Sequence, residues 1–194
     1  MRLNYYLPRY DFVEKHSITI KALPERVFEA IGNLDLNKSK VIRSLLKMRS
    51  AYGLFDPGKK SKDKPPMVLS FKDLIEKSDF IPLEKVSKQE IVMGFVGRFW
   101  LPTGGFVQSL QTDSFIDFNQ TSYCKVAWNF HIEYNPDVTV TLSTETRVLG
   151  LGRCAKFLFL IYWAIIKPFS GWIRLEMLKM IKEQAEGYAT CSEK

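Results

Sequence analysis

The stretch from Thr139 to Gly187 constrains the fold of this chain more than any other. It begins T-V-T-L-S-T-E-T-R-V-L-G-L-G, in which Val140, Leu142 and Val148 recur in the two-residue period of a strand. It continues R-C-A-K-F-L-F-L-I-Y-W-A-I-I-K-P-F-S-G-W-I-R-L-E-M-L-K-M-I-K-E-Q-A-E-G, one long helix or two stacked helical segments. A helix this apolar must be covered, and the preceding residues hold the strand-like runs that can cover it. Pro168 is expected to interrupt the helical hydrogen bonding, Ser170 to cap a segment restarting at Gly171, and Gly187 to end it. The run from Phe157 to Ile166 is ten residues long, about half of what a bilayer crossing needs, and reads as a buried core helix.

The rest of the chain supplies strands and short helices. Phe12 to Ile20 reads as an edge strand with His16 facing solvent. Leu23 to Ile31 reads as a short helix with Pro24 in its first turn, and Ser39 to Arg49 as a second. Gly53 to Pro66, F-D-P-G-K-K-S-K-D-K-P-P at its centre, is a basic loop inserted in one domain rather than a linker. Ser70 to Lys77 reads as a further helix with a capping box. Strands are predicted over Phe80–Val86, Glu90–Trp100, Phe115–Phe118, Tyr123–Tyr134 and Val138–Val148, with turns at Leu101–Gly105 and Asn135–Asp137. Five or six successive strands with short connections make an antiparallel meander, so the fold class is α+β.

Composition bounds what such a domain does. The 194 residues suit a single domain, 1–194, and 14 Phe, 8 Tyr and 4 Trp can line a pocket as well as fill a core. The net charge is +7, and Lys38 to Lys64 is its densest part, with only Asp56 and Asp63 opposing it. That region suits a transient anionic membrane contact; no nucleic-acid module accompanies it. Cys124, Cys154 and Cys191 are odd in number and widely spaced, and the N-terminus lacks the apolar core of a secretory leader, which together imply free thiols and a cytoplasmic protein.

Strand, two short helices, meander and long C-terminal helix, in that order, resemble the helix-grip fold of the START-like superfamily, the SRPBCC or polyketide cyclase/dehydrase and lipid transport group. Two stretches carry the resemblance more specifically: L-S-T-E-T-R-V, ending near Val148, and F-L-x-x-Y-W-x-x-I-x-P-F-S-G-W-I-R-x-x-x-L, within Phe157 to Leu178. They look like the signature of a largely uncharacterised bacterial branch. Gly94-Phe95-Val96-Gly97-Arg98-Phe99-Trp100 and Ala127-Trp128-Asn129-Phe130 look like its central-strand motifs. The resemblance spans roughly Phe12 to Gly187 and implies a curved sheet wrapped around the last helix with two short helices after the first strand. It says little of activity, since such domains serve as carriers, receptors and enzymes.

Local chemical motifs are sparse. His16 and His131 have no ligand partners at metal spacing, so no metal is expected. Gly94–Gly97 and Gly150–Gly152 lack the context of a dinucleotide fingerprint, and neither a P-loop nor a G-x-S-x-G elbow occurs, so no cofactor is expected. Arg98, Glu145 and Arg147 are the charged residues on apolar strands. They either meet in a pocket that orients a carbonyl or carboxylate, or, for Glu145 and Arg147, lie on the outer sheet surface beside Thr141 and Ser143. Trp100, Trp128 and Phe130 are candidate ligand-lining rings. Tyr162, in line with Leu158, Ile165 and Phe169, is a candidate polar handle.

These residues lead to an expected function of binding or carrying a hydrophobic or amphipathic small molecule, lipid-like or polyketide-like, without catalysis. The alternatives are a cyclase or dehydratase using His131, Glu145 or Tyr162 on a carbonyl substrate, and a protein interaction module working through the basic loop.

Overall fold

Alternating apolar residues pair into a five-stranded sheet, and the long apolar segment packs on one side of it. The computed structural model describes residues 1–39, 80–101, 105–107 and 110–190. The expected helices over Ser39–Arg49 and Ser70–Lys77 and the basic loop Gly53–Pro66 lie outside the described residues, apart from Ser39.

The chain opens with α1 (Leu3–Tyr6), then β1 (Phe12–Ile20), α2 (Pro24–Gly32) and a 3-10 turn at Leu36–Lys38. It continues with β2 (Ile81–Val86), β3 (Glu90–Gly97), α3 (Thr112–Asp117), β4 (Tyr123–Tyr134), β5 (Val140–Leu151) and α4 (Arg153–Thr190). The strand order is β1-β5-β4-β3-β2, and every neighbouring pair is antiparallel. β1 and β2 are therefore the edges.

Two-residue alternation gives the sheet two unlike faces. Ile91, Met93, Trp128, Phe130, Ile132, Val140 and Leu142 meet Met177, Leu178, Ile181 and Ala185 of α4, and Val27, Ala30 and Ile31 of α2 complete this core. Nearer the start of α4, Ala155 and Phe159 pack with Phe99, Cys124, Val126 and Val148. The opposite face is covered differently: Leu3, Tyr6 and Leu7 join Phe115 of α3 over Val92, Val96 and Ala127. Tight approach requires glycine here, since a Cβ on Gly94 would lie 2.9 Å from both Leu83 and Phe115.

Three expectations need correction. Phe115–Phe118 is not a strand; residues 112–117 form α3, whose Asp113 lies in the first turn and whose Phe115 is buried under the sheet. Pro168 does not divide the last segment: α4 is one helix, continuing past Gly187 to Thr190. Pro168 lies on the exposed side, where an unbonded carbonyl meets water, and packing at Phe159 before it and Leu178 after it holds one axis. The run Phe157–Ile166 is not a buried core helix throughout, because Phe157, Leu160, Ile161 and Ile165 are each at least half exposed.

Candidate functional site

A charge on the sheet side of α4 has to find partners, and the elements that supply them are β1 and β5. Glu14 and Thr146 are opposite one another in the β1–β5 register, and both side chains point to α4. Glu14 is buried, its Oε1 3.0 Å from Nε2 of His16 and its Oε2 3.9 Å from Nε of Arg174. The two share one hydrogen bond, with Nε2 of His16 as donor or acceptor according to its tautomer. Arg174 lies with its guanidinium 5.1 Å from the centre of the Trp128 ring. Burial pulls the Arg174 guanidinium down to about 10, with Glu14 acting against that shift, so it stays protonated at neutral pH. Helix and sheet touch closely at this point: a Cβ on Gly171 would lie 2.7 Å from Oε1 of Glu14.

The cluster is under-satisfied. Oε2 of Glu14, Oγ1 of Thr146 and Nη1 of Arg174 are buried without a hydrogen-bond partner among the described residues. Trp128 is anchored beneath them: its Nε1 donates to Oγ1 of Thr144 at 2.6 Å, and Thr144 donates to the carbonyl of Asn129 at 2.8 Å.

From Trp128 a wall of aromatic rings leads away along the helix. Phe80 lies 6.0 Å from Trp128, Phe95 4.7 Å from Phe80, and Phe99 5.4 Å from Phe95. Phe159 then lies 6.0 Å from Phe99 and 5.6 Å from Trp163. A polar end and an apolar wall thus adjoin one another between sheet and helix.

The residues singled out in the sequence are distributed over three places. Trp128 and Phe130 lie in the core under α4, their rings 5.2 Å apart. Tyr162 is half-buried against Phe159 at 5.7 Å, and Trp100 is half-buried beside the same cluster. Tyr162 does not share an inward line with Ile165 and Phe169, both of which are exposed; the inward side is Phe159, Gly171, Leu178, Ile181 and Ala185.

Glu145 and Arg147 lie on the other face, and Arg98 does not join them. Nε of Arg147 donates to Oε1 of Glu145 at 2.7 Å, and Nη1 donates to the Leu7 carbonyl at 3.2 Å. The pair is buried beneath the N-terminal segment instead of facing solvent. Arg98 lies over the Tyr123 ring at 4.4 Å. Tyr123 and Asn129, the β4 partner of Glu145, are six residues apart, about 20 Å along a strand. His131 projects to the face away from α4, its alternation shared with Asn129.

Glu14, Thr146 and Arg174 went unrecognised as a site, although a signal was present. Glu14 and His16 share the period of Phe12, Ile18 and Ile20, so they belong to the core side of β1; His16 is only partly exposed and not a solvent-facing residue. Thr146 shares the period of Leu142 and Val148. Gly171, Arg174, Leu178 and Ile181 follow helical spacing of three and four.

An open cleft of about 510 Å³ lies elsewhere, lined by Lys21, Ala22, Leu23, Arg26, Asp137, Val138 and Thr139. It has neither enclosure nor converging buried polar atoms, and the candidate site is the cluster under α4. Among the described residues no three His, Cys, Asp or Glu side chains are grouped to hold a metal ion. No family model matches the chain, and no curated protein matches it either.

Proposed function

We propose that this chain is a START-like, helix-grip protein that binds or carries an amphipathic small molecule between its sheet and C-terminal helix, without catalysis, in the cytoplasm. The observation that supports this reading is the convergence of three buried polar atoms that have no hydrogen-bond partner among the described residues, on Glu14, Thr146 and Arg174, beside an aromatic wall. Buried polar atoms are nearly always paired, and each one left unpaired costs about 1–3 kcal/mol. A ligand head with both a donor and an acceptor would pair them, and its apolar body would lie along Phe95, Phe99 and Phe159. The free thiols of Cys124 and Cys154 fit a reducing compartment.

The test is native mass spectrometry of protein purified without added ligand, followed by organic extraction. The expected result is a stoichiometric compound with one polar end, lost from the Glu14→Leu/Arg174→Met double variant. Protein that arrives empty, and gains no thermal stability from fatty acids, phospholipids or aromatic ketones, would remove this reading.

The Glu14–His16 contact supports a second reading, general acid/base catalysis on a carbonyl substrate. It moves the acid/base groups from His131, Glu145 and Tyr162 to β1. Turnover of an extracted compound, abolished by His16→Gln with binding retained, distinguishes it from carriage.

A further inference from the structure

α4 has a second apolar face. Phe157, Leu160, Ile161, Ile165, Trp172 and Leu175 follow one another at helical spacing, and each is at least half exposed. From Phe157 to Leu175 this stripe runs about 27 Å at the rise of an α-helix. A soluble surface seldom leaves so long an apolar strip without a partner. Its Trp172 indole is the one hydrogen-bonding side-chain group among these six residues, which suits a lipid phase better than the polar-rimmed surface of another protein.

We propose that α4 docks flat on an anionic phospholipid surface, with this stripe buried at the boundary of headgroups and acyl chains. The charge is complementary: residues 153–175 include Arg153, Lys156, Lys167 and Arg174 and no acidic side chain. Lys156 pairs with Asp11 and Arg174 with Glu14, while Arg153 and Lys167 are exposed and flank the stripe. Trp172 supplies the amphipathic ring favoured at a membrane interface. By length and composition the helix is also apolar enough to cross a bilayer. Crossing would strip Phe159, Met177, Leu178 and Ile181 from the sheet and Arg174 from Glu14, whereas lying in the interface keeps all of these contacts. The basic loop is not needed for this surface. Docking also stands apart from carriage, since it uses the outward side of the helix; a chain that carried nothing would still dock.

The test uses the full chain with vesicles of phosphatidylcholine alone and of phosphatidylcholine with phosphatidylserine, read by co-sedimentation and by tryptophan emission. Partitioning onto the anionic vesicles is expected to be roughly tenfold or more above the neutral ones, and to weaken as salt is raised. Ile161→Glu/Ile165→Glu is expected to lower partitioning by roughly tenfold or more, with thermal unfolding little changed because both side chains face solvent. Lys167→Glu, a change to an exposed cation, is expected to weaken binding to anionic vesicles only. Wild-type protein that stays in the supernatant with anionic vesicles overturns the proposal, as does a folded double variant that sediments like wild type. A lipid-free dimer dissolved by the same double variant also overturns it, assigning the face to a second copy of the chain.

Discussion

At Arg174 a guanidinium lies over the Trp128 ring, and among the described residues its ion-pair partner is Glu14, 3.9 Å away. Removing Arg174 leaves Glu14 buried with His16 as its remaining partner, at a cost of up to about 3–5 kcal/mol, whereas replacing both members of a buried pair by apolar groups is often close to neutral. Arg174→Met is therefore expected to lower unfolding free energy by about that amount, and Glu14→Leu/Arg174→Met to recover most of it. Urea denaturation of wild type and these two variants checks the coupling. A double variant less stable than Arg174→Met, as independent effects would add, would show that the two charges do not depend on one another. The same double variant then separates stability from ligand binding, because its fold is expected to survive while the polar end of the site is gone.

Among the elements, α1 is the least self-sufficient: four residues cannot hold a helix in water alone. Glu90 holds it down. Its carboxylate is buried and accepts from the backbone N–H of Arg2 at 2.6 Å, from that of Leu3 at 3.3 Å, and from Nδ2 of Asn129 at 2.6 Å. Hydrogen bonds to a charged group are worth about 1.5–3 kcal/mol, so Glu90→Gln is expected to speed amide exchange over residues 3–7 by tenfold or more. Exchange in that segment unchanged by the substitution would assign the anchoring to Leu3, Tyr6 and Leu7 alone. At the exposed edge, the hydrogen bond from Arg2, first of all, holds the Glu84 carboxyl below its ordinary value of 4.5. A depressed carboxylate contributes stability that is complete above that ordinary value and is lost as pH falls through the lower folded value. The Arg2–Glu84 contribution to anchoring α1 should thus fade as pH falls below the ordinary carboxyl value of 4.5, and high salt should blunt it at any pH.

For the whole molecule, the question is whether α4 ever leaves the sheet, and Cys124 reports on it. Its thiol is fully buried beside Ala155 of α4, and burial pushes it up to about 12. Cys154, one residue from Ala155, is exposed. In a Cys191→Ser background, a thiol reagent near neutral pH is expected to label Cys154 promptly and Cys124 only as fast as the protein opens. Vesicles should leave Cys124 protected if α4 lies in the interface with its sheet contacts intact. Prompt labelling of Cys124 on vesicles would mean that the helix had separated from the sheet.

Local periodicity determined much of this protein. Phe12–Ile20 and Tyr123–Tyr134 are strands with the boundaries their alternation predicts, and the α+β class, with an antiparallel sheet and a long C-terminal helix, was legible because each strand and helix repeats within a few residues. Phe115–Phe118 was too short for its pattern to tell strand from helix. Periodicity assigns a residue to a face but says nothing of what covers that face. Only the tertiary structure placed the N-terminal segment against Arg147, put Arg98 over Tyr123 and away from Glu145, and left Phe157, Leu160 and Ile165 exposed on the outer side of α4. The Glu14, Thr146 and Arg174 cluster depends on the β1–β5 register and on where α4 crosses it, a matter of which distant segments pair.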